Sequence, residues 1–81
     1  MITQTKHTPF GVLVVATWEL PAVPRCYIPA AVGFSVSLHD GATTDHYSCH
    51  APTEADALED AKKVGRRMLA KARRAAKEVV L

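Results

Sequence analysis

From Thr53 to Leu81 the chain contains no proline and repeats its apolar residues at helical spacing, so one long helix is expected that everything else must accommodate. Ala51-Pro52 interrupts the preceding segment, and Thr53 is a good N-cap whose hydroxyl accepts from a backbone N–H one turn on. Asp56 stands at the capping-box position. On a helical wheel Ala57, Ala61, Val64, Gly65, Met68, Leu69, Ala72, Ala75, Ala76 and Val79 share one arc, with Leu58 at its edge. The opposite arc holds Lys62, Lys63, Arg66, Arg67, Lys71, Arg73, Arg74 and Lys77. At 1.5 Å per residue such a helix reaches roughly 40 Å, longer than a typical strand, so its far end should overhang the structure beneath.

The charge pattern sharpens this picture. Residues 61–81 carry eight basic groups and one acid, whereas residues 1–60 carry two basic groups and seven acids, a segregation that the net charge of +2 conceals. Residues 1–81 make one domain, and a chain of this size buries only about 60% of the surface it exposes when unfolded. A binding surface is therefore expected rather than a deep catalytic cleft. An apolar content of 48% without low-complexity tracts indicates a folded domain. No apolar run approaches the roughly 18 residues that span a bilayer, and Phe10 to Ala16 lacks the flanks of a signal peptide. Cys26 and Cys49 are too few for a disulfide scaffold and have no paired CxxC spacing, so a cytoplasmic protein with two thiols and no membrane association is expected.

In chain order, residues 1–9 read as a loose polar lead-in. Phe10 to Leu20 is rich in β-branched and aromatic residues and predicts a first strand. Its alternation places Phe10, Val12, Val14, Ala16, Trp18 and Leu20 on one face and Leu13, Val15 and Thr17 on the other. Pro21 to Pro29 holds three prolines and predicts a rigid connection, with Tyr27 and Ile28 as packing anchors. Ala31 to His39 alternates cleanly, with Val32, Phe34, Val36 and Leu38 inward. Asp40-Gly41 opens a turn, and Thr44 to Ala51 predicts a third strand with Tyr47 and Cys49 inward and His46, Ser48 and His50 outward. A symmetric hairpin would set His39 opposite His46, Ser37 opposite Ser48 and Ser35 opposite His50. The expected fold is α+β, a three-stranded antiparallel meander (β-β-β) packed against one long C-terminal amphipathic helix.

Four patterns bear on function. Lys62, Lys63, Arg66, Arg67, Lys71, Arg73, Arg74 and Lys77 have the spacing to track phosphates or to meet an acidic protein surface. Acids at Glu54, Asp56, Glu59 and Asp60 followed by bases are also what the helix dipole favours, with Glu59 and Lys63 an ordinary i,i+4 pair. His46, Cys49 and His50 are zinc-competent residue types, but strand alternation turns Cys49 away from the two histidines, so no metal site is expected. Ser48 between His46 and His50, beside Asp45, lacks any strained elbow or oxyanion loop, so no catalytic residue, enzymatic activity or cofactor is expected. Leu13 and Val15 on the first strand, with Val79, Val80 and Leu81 at the helix end, are apolar surface left over after folding, which suggests a protein interface or homodimer.

Residues 51–61, Ala-Pro-Thr-Glu-Ala-Asp-Ala-Leu-Glu-Asp-Ala, resemble the strand-to-helix junction of HicB-type antitoxins and other βββα modules. Glu19-Leu20-Pro21-Ala22 is similar to the Asp-Leu-Pro-Gly element of that family. Three strands followed by a basic helix with Lys62-Lys63 also resemble double-stranded-RNA-binding domains. In size and style the chain is similar to small phage-encoded inhibitors of the anti-CRISPR kind. These resemblances imply a non-enzymatic regulatory module that contacts nucleic acid or a nucleoprotein, or an inhibitor that docks on a protein target.

Overall fold

In the segment AVGFSVSLH every second side chain is apolar, and a pleated strand delivers that row to a single face. Phe34, Val36 and Leu38 become the centre of the core, each no more than 6% exposed. The computed structural model describes residues 2–41 and 43–78, with only the backbone of residues 77 and 78. Its elements are β1 (Thr3–Thr8), β2 (Gly11–Leu20), a 3₁₀ turn (Pro24–Cys26), β3 (Ala31–His39), β4 (Thr44–Ala51) and α1 (Glu54–Glu78). The four strands form one antiparallel sheet in the order β1-β2-β3-β4. The α+β class with a C-terminal helix is as expected.

The strand count is not. Residues 1–9, read as a lead-in, contain β1, which pairs with β2 from Thr3↔Ala16 to Thr8↔Gly11. β1 lies at the sheet edge and carries almost no apolar bulk, so its stability comes from backbone pairing and two local devices. At one end, Thr8 Oγ1 donates to Gly11 O at 2.7 Å and accepts from the Phe10 N–H at 3.2 Å, closing a tight turn. At the other, Thr17 Oγ1 accepts from the Ile2 N–H at 2.9 Å while the Thr17 N–H donates to Ile2 O at 2.8 Å. Thr17 is buried, and these bonds satisfy its polar atoms.

The pairing of β2 with β3 also settles which face of β2 turns inward. Leu13↔Leu38, Val15↔Val36 and Thr17↔Phe34 stand side by side, so Leu13 and Val15 lie on the helix side of the sheet. They pack against the core instead of forming an outward face, and the open side of β2 carries Val12, Val14, Ala16 and Trp18. The β3–β4 hairpin is shorter than symmetry suggested. Asp40 accepts from the Thr43 N–H at 2.6 Å and from the Thr43 hydroxyl at 2.8 Å, so the last ladder pair is His39↔Thr44. Ser37 therefore faces His46, Ser35 faces Ser48, and Gly33 faces His50.

α1 starts where its cap predicts: the Asp56 N–H donates to Thr53 Oγ1 at 3.2 Å, and the Ala57 N–H to Thr53 O at 3.0 Å. It lies chiefly over β3, with β2 and β4 under its flanks and β1 beyond its reach. Ala57, Ala61, Gly65 and Met68 are its buried positions, and the small ones let the helix axis come close to the sheet. A Cβ on Gly65 would sit 3.1 Å from Leu13 Cδ2. Packing against the core continues through Ala72, while Ala75 and Ala76 are exposed. The expected overhang thus begins in the last turns of the helix.

Candidate functional site

The outer arc of α1 is the most strongly charged surface of the molecule. Lys62, Lys63, Arg66, Arg67, Lys71, Arg73 and Arg74 are all exposed. Among the described residues one ion pair forms, Lys63 Nζ to Glu59 Oε1 at 3.9 Å, between two exposed side chains one turn apart. The side chain of Lys77, and Val79, Val80 and Leu81, lie outside the described residues. The cations divide into two flanks because each is carried a little to one side of the buried arc. Lys62 and Arg66 lean toward β1, whereas Arg67 and Lys71 lean toward β4. Arg73 and Arg74 continue the two rows by helical spacing.

On the β1 side the helix and sheet leave a groove of about 700 Å³. Leu13 and Val15 form its floor, and Ala61, Gly65 and Leu69 form the helix wall. Lys6, Lys62 and Arg66 stand around it, and no acid does. The groove exists because α1 covers β2 and β3 but stops short of the edge strand. Lys6 and Gln4 belong to it by virtue of β1. The sequence reading missed both, although the alternating β-branched Thr3 and Thr5 ahead of a Thr-Pro-Phe-Gly turn were the available signal.

On the β4 side, Asp45, Tyr47 and Cys49 occupy helix-facing positions but remain near solvent, because β4 is the other edge of the sheet. Cys49 is exposed rather than a core residue. The Tyr47 phenol is held above its ordinary 10.0, first by its hydrogen bond with the Cys49 side chain and then by charge on that thiol. Arg67 pulls in the opposite direction. Phe34 and Tyr47 rings meet at a centroid separation of 6.2 Å, tying this edge to the core.

The opposite face of the sheet is uncovered. Row by row, the pairings set His7, Val12, His39 and Thr44 in line, followed by Thr5, Val14, Ser37 and His46. The next row is Thr3, Ala16, Ser35 and Ser48, and Trp18, Gly33 and His50 close the face. His46 Nδ1 bonds Ser37 Oγ at 2.8 Å, and His39 Nδ1 bonds Thr44 Oγ1 at 3.1 Å. His46 is thus engaged across the sheet with Ser37, not along the strand with Ser48. Among the described residues no three His, Cys, Asp or Glu side chains come together in a way that could hold a metal ion.

Tyr27 and Ile28 do not pack. The β2–β3 connection runs out as an arm in which Val23 and Ile28 exchange backbone hydrogen bonds around the Pro24–Cys26 turn. Tyr27 follows in a left-handed conformation, φ 54°, and is 94% exposed. The three prolines make a self-supporting arm that projects from the sheet, so its apolar residues have no core to reach.

Among the described residues no helix is long and apolar enough to cross a membrane. Compared with protein families, with curated proteins and with solved structures, the chain gives no match.

Proposed function

We propose that the protein is a non-enzymatic binding module that engages nucleic acid, free or within a nucleoprotein, through the basic face of α1. The supporting observation is the set of exposed cations on α1, of which only Lys63 has a carboxylate partner among the described residues. Unpaired cations in two rows along a rigid helix follow a phosphate backbone at low desolvation cost, and they carry no base-reading geometry. Binding by this face is salt-dependent and tolerant of sequence. A mobility-shift titration at two salt concentrations tests it. Arg66→Ala with Arg73→Ala should weaken binding to all sequences alike and lower the salt slope by about two. Affinity that ignores salt, or that survives the double substitution, overturns the reading.

A second reading is an antitoxin-like or inhibitor-like protein that docks on an acidic protein target, with the β1–α1 groove as its favouring observation. An apolar floor at Leu13 and Val15 ringed by Lys6, Lys62 and Arg66 suits an acidic, amphipathic segment. A stoichiometric protein complex lost on Leu13→Ser, with nucleic-acid binding absent, would select it over the first.

A further inference from the structure

The chain has ten Lys or Arg and eight Asp or Glu, yet none of those carried by the four strands lies on the uncovered face of the sheet. All four histidines do: His7 from β1, His39 from β3, and His46 and His50 from β4. The strand bases and acids sit on the other side. Lys6, Glu19 and Asp45 occupy helix-facing positions, and Asp40 belongs to the turn beyond His39. α1 packs against that opposite side and brings no charge to the histidines. The face therefore combines an apolar stripe along β2, from Val12 to Trp18, with a surround of Thr, Ser and His.

We infer that a second copy of this chain covers this face, sheet against sheet, and that protonation of its histidines drives the two copies apart. Three features select a second copy as the occupant. A face without formal charge offers nothing to a charged partner, but it meets its own image without repulsion. Its anatomy, an aliphatic stripe of Val12, Val14 and Ala16 that ends at Trp18 and is flanked by neutral polar positions without Lys, Asp or Glu, is that of an interface core. Its size is of the right order: strands of six, ten, nine and eight residues set about 4.8 Å apart span on the order of 500 Å² before side-chain relief is added. A stable dimer needs roughly 800 Å² of accessible surface per partner.

The histidines supply the acid sensitivity. Imidazole is the side chain whose charge ordinarily changes between about pH 5 and 8. In the dimer, up to eight imidazoles crowd one zone to which the strands contribute no carboxylate, so their charged forms are disfavoured there relative to the separated chains. The dimer then binds fewer protons than two monomers, and falling pH shifts the equilibrium toward monomers.

Sedimentation velocity on the full chain at high micromolar concentration tests the inference. A two-chain mass is expected at about pH 7.5 and a one-chain mass at about pH 5, where imidazoles are charged. Val14→Lys, at the centre of the stripe, should abolish the two-chain species at the higher pH while the helical circular-dichroism signal persists. If Val14→Lys does not fold, Ser35→Lys in the neighbouring row makes the same test without altering an apolar position. His39→Gln with His46→Gln should leave a dimer that resists acid. A one-chain mass at the higher pH, a dimer that survives the lysine variants, a dimer intact in acid, or unchanged acid sensitivity in the glutamine variant each overturns the inference. No variant alters α1, so this test and that of polyanion binding fail independently.

Discussion

The indole of Trp18 occupies the space that a side chain at Gly33, its partner across the β2–β3 pair, would fill. A Cβ added to Gly33 would collide with the five-membered ring edge around Nε1. The glycine is thus required by a neighbour and not by its own backbone angle, and the aromatic ring in turn shields a strand position that lacks a side chain. Gly33→Ala should push the indole off the sheet and cost about 1–3 kcal/mol, as overpacking does elsewhere. Trp18 is the sole tryptophan, so its fluorescence reports the change directly: emission should shift to the red as the urea midpoint falls. In a Trp18→Val background the same glycine substitution should cost far less, and an equal cost in both backgrounds would show that the indole is not the cause.

The Tyr47 phenol gives a prediction in alkali. Its hydrogen bond with Cys49 is the largest contribution that raises its titration above 10.0. A folded state that keeps a proton the unfolded chain has already released is stabilised below the unfolded pKa, and that contribution is lost as pH rises through the folded value. Absorbance titration of the phenolate in a Tyr27→Phe variant should place the Tyr47 midpoint above 10.0, and Cys49→Ala should lower it. A midpoint unmoved by Cys49→Ala would mean that the thiol is not what holds the proton.

Thr17 is the one buried polar residue among the described residues, and it pins the start of β1. Thr17→Val keeps the shape but leaves the Ile2 N–H without its acceptor. A loss of about 1–3 kcal/mol is expected, the usual cost of stranding a part-buried donor. Hydrogen exchange should locate the effect, with faster exchange confined to the β1–β2 ladder. Uniform loss of protection across β3 and β4 would instead mark Thr17 as a residue of the main core.

Where the fold was legible, one physical signal acted alone. β3 has a single apolar face, so alternation read it correctly, and the helix has one apolar arc and a Thr53 cap that the structure reproduces. β2 is apolar on both faces, and a pattern cannot choose between Val14 and Val15; only pairing with β3 does. β1 carries Thr, Gln, Lys and His, so it has no hydrophobic signature, and its existence follows from backbone bonds and a turn. That omission hid His7 from the histidine face and Lys6 from the groove. The register of the β3–β4 hairpin depended on one carboxylate, Asp40, which closes the loop on Thr43 and moves every cross-strand pair by two residues. Such a shift preserves the faces, which is why the outward placement of His46, Ser48 and His50 survived it.

Gly65 separates two opposing effects that both bear on the groove. In a helix interior glycine costs about 1 kcal/mol relative to alanine, so Gly65→Ala gains propensity. The new Cβ would lie 3.1 Å from Leu13 Cδ2, tighter than ordinary contact, and Leu13 must yield by a few tenths of an ångström. Leu13 is half-buried on the floor of an open groove, with room on its β1 side. It can yield, so Gly65→Ala should be neutral or stabilising by up to about 1 kcal/mol. Gly65→Leu cannot be absorbed in this way: the larger side chain must lift α1 from β2 or fill the groove, and a loss of about 1–3 kcal/mol is expected. Thermal or urea unfolding of the two variants measures both signs at once. If Gly65→Ala destabilises as much as Gly65→Leu, then α1 is clamped against β2 with no slack at Leu13, and the groove floor is rigid core instead of a surface able to adapt to a ligand.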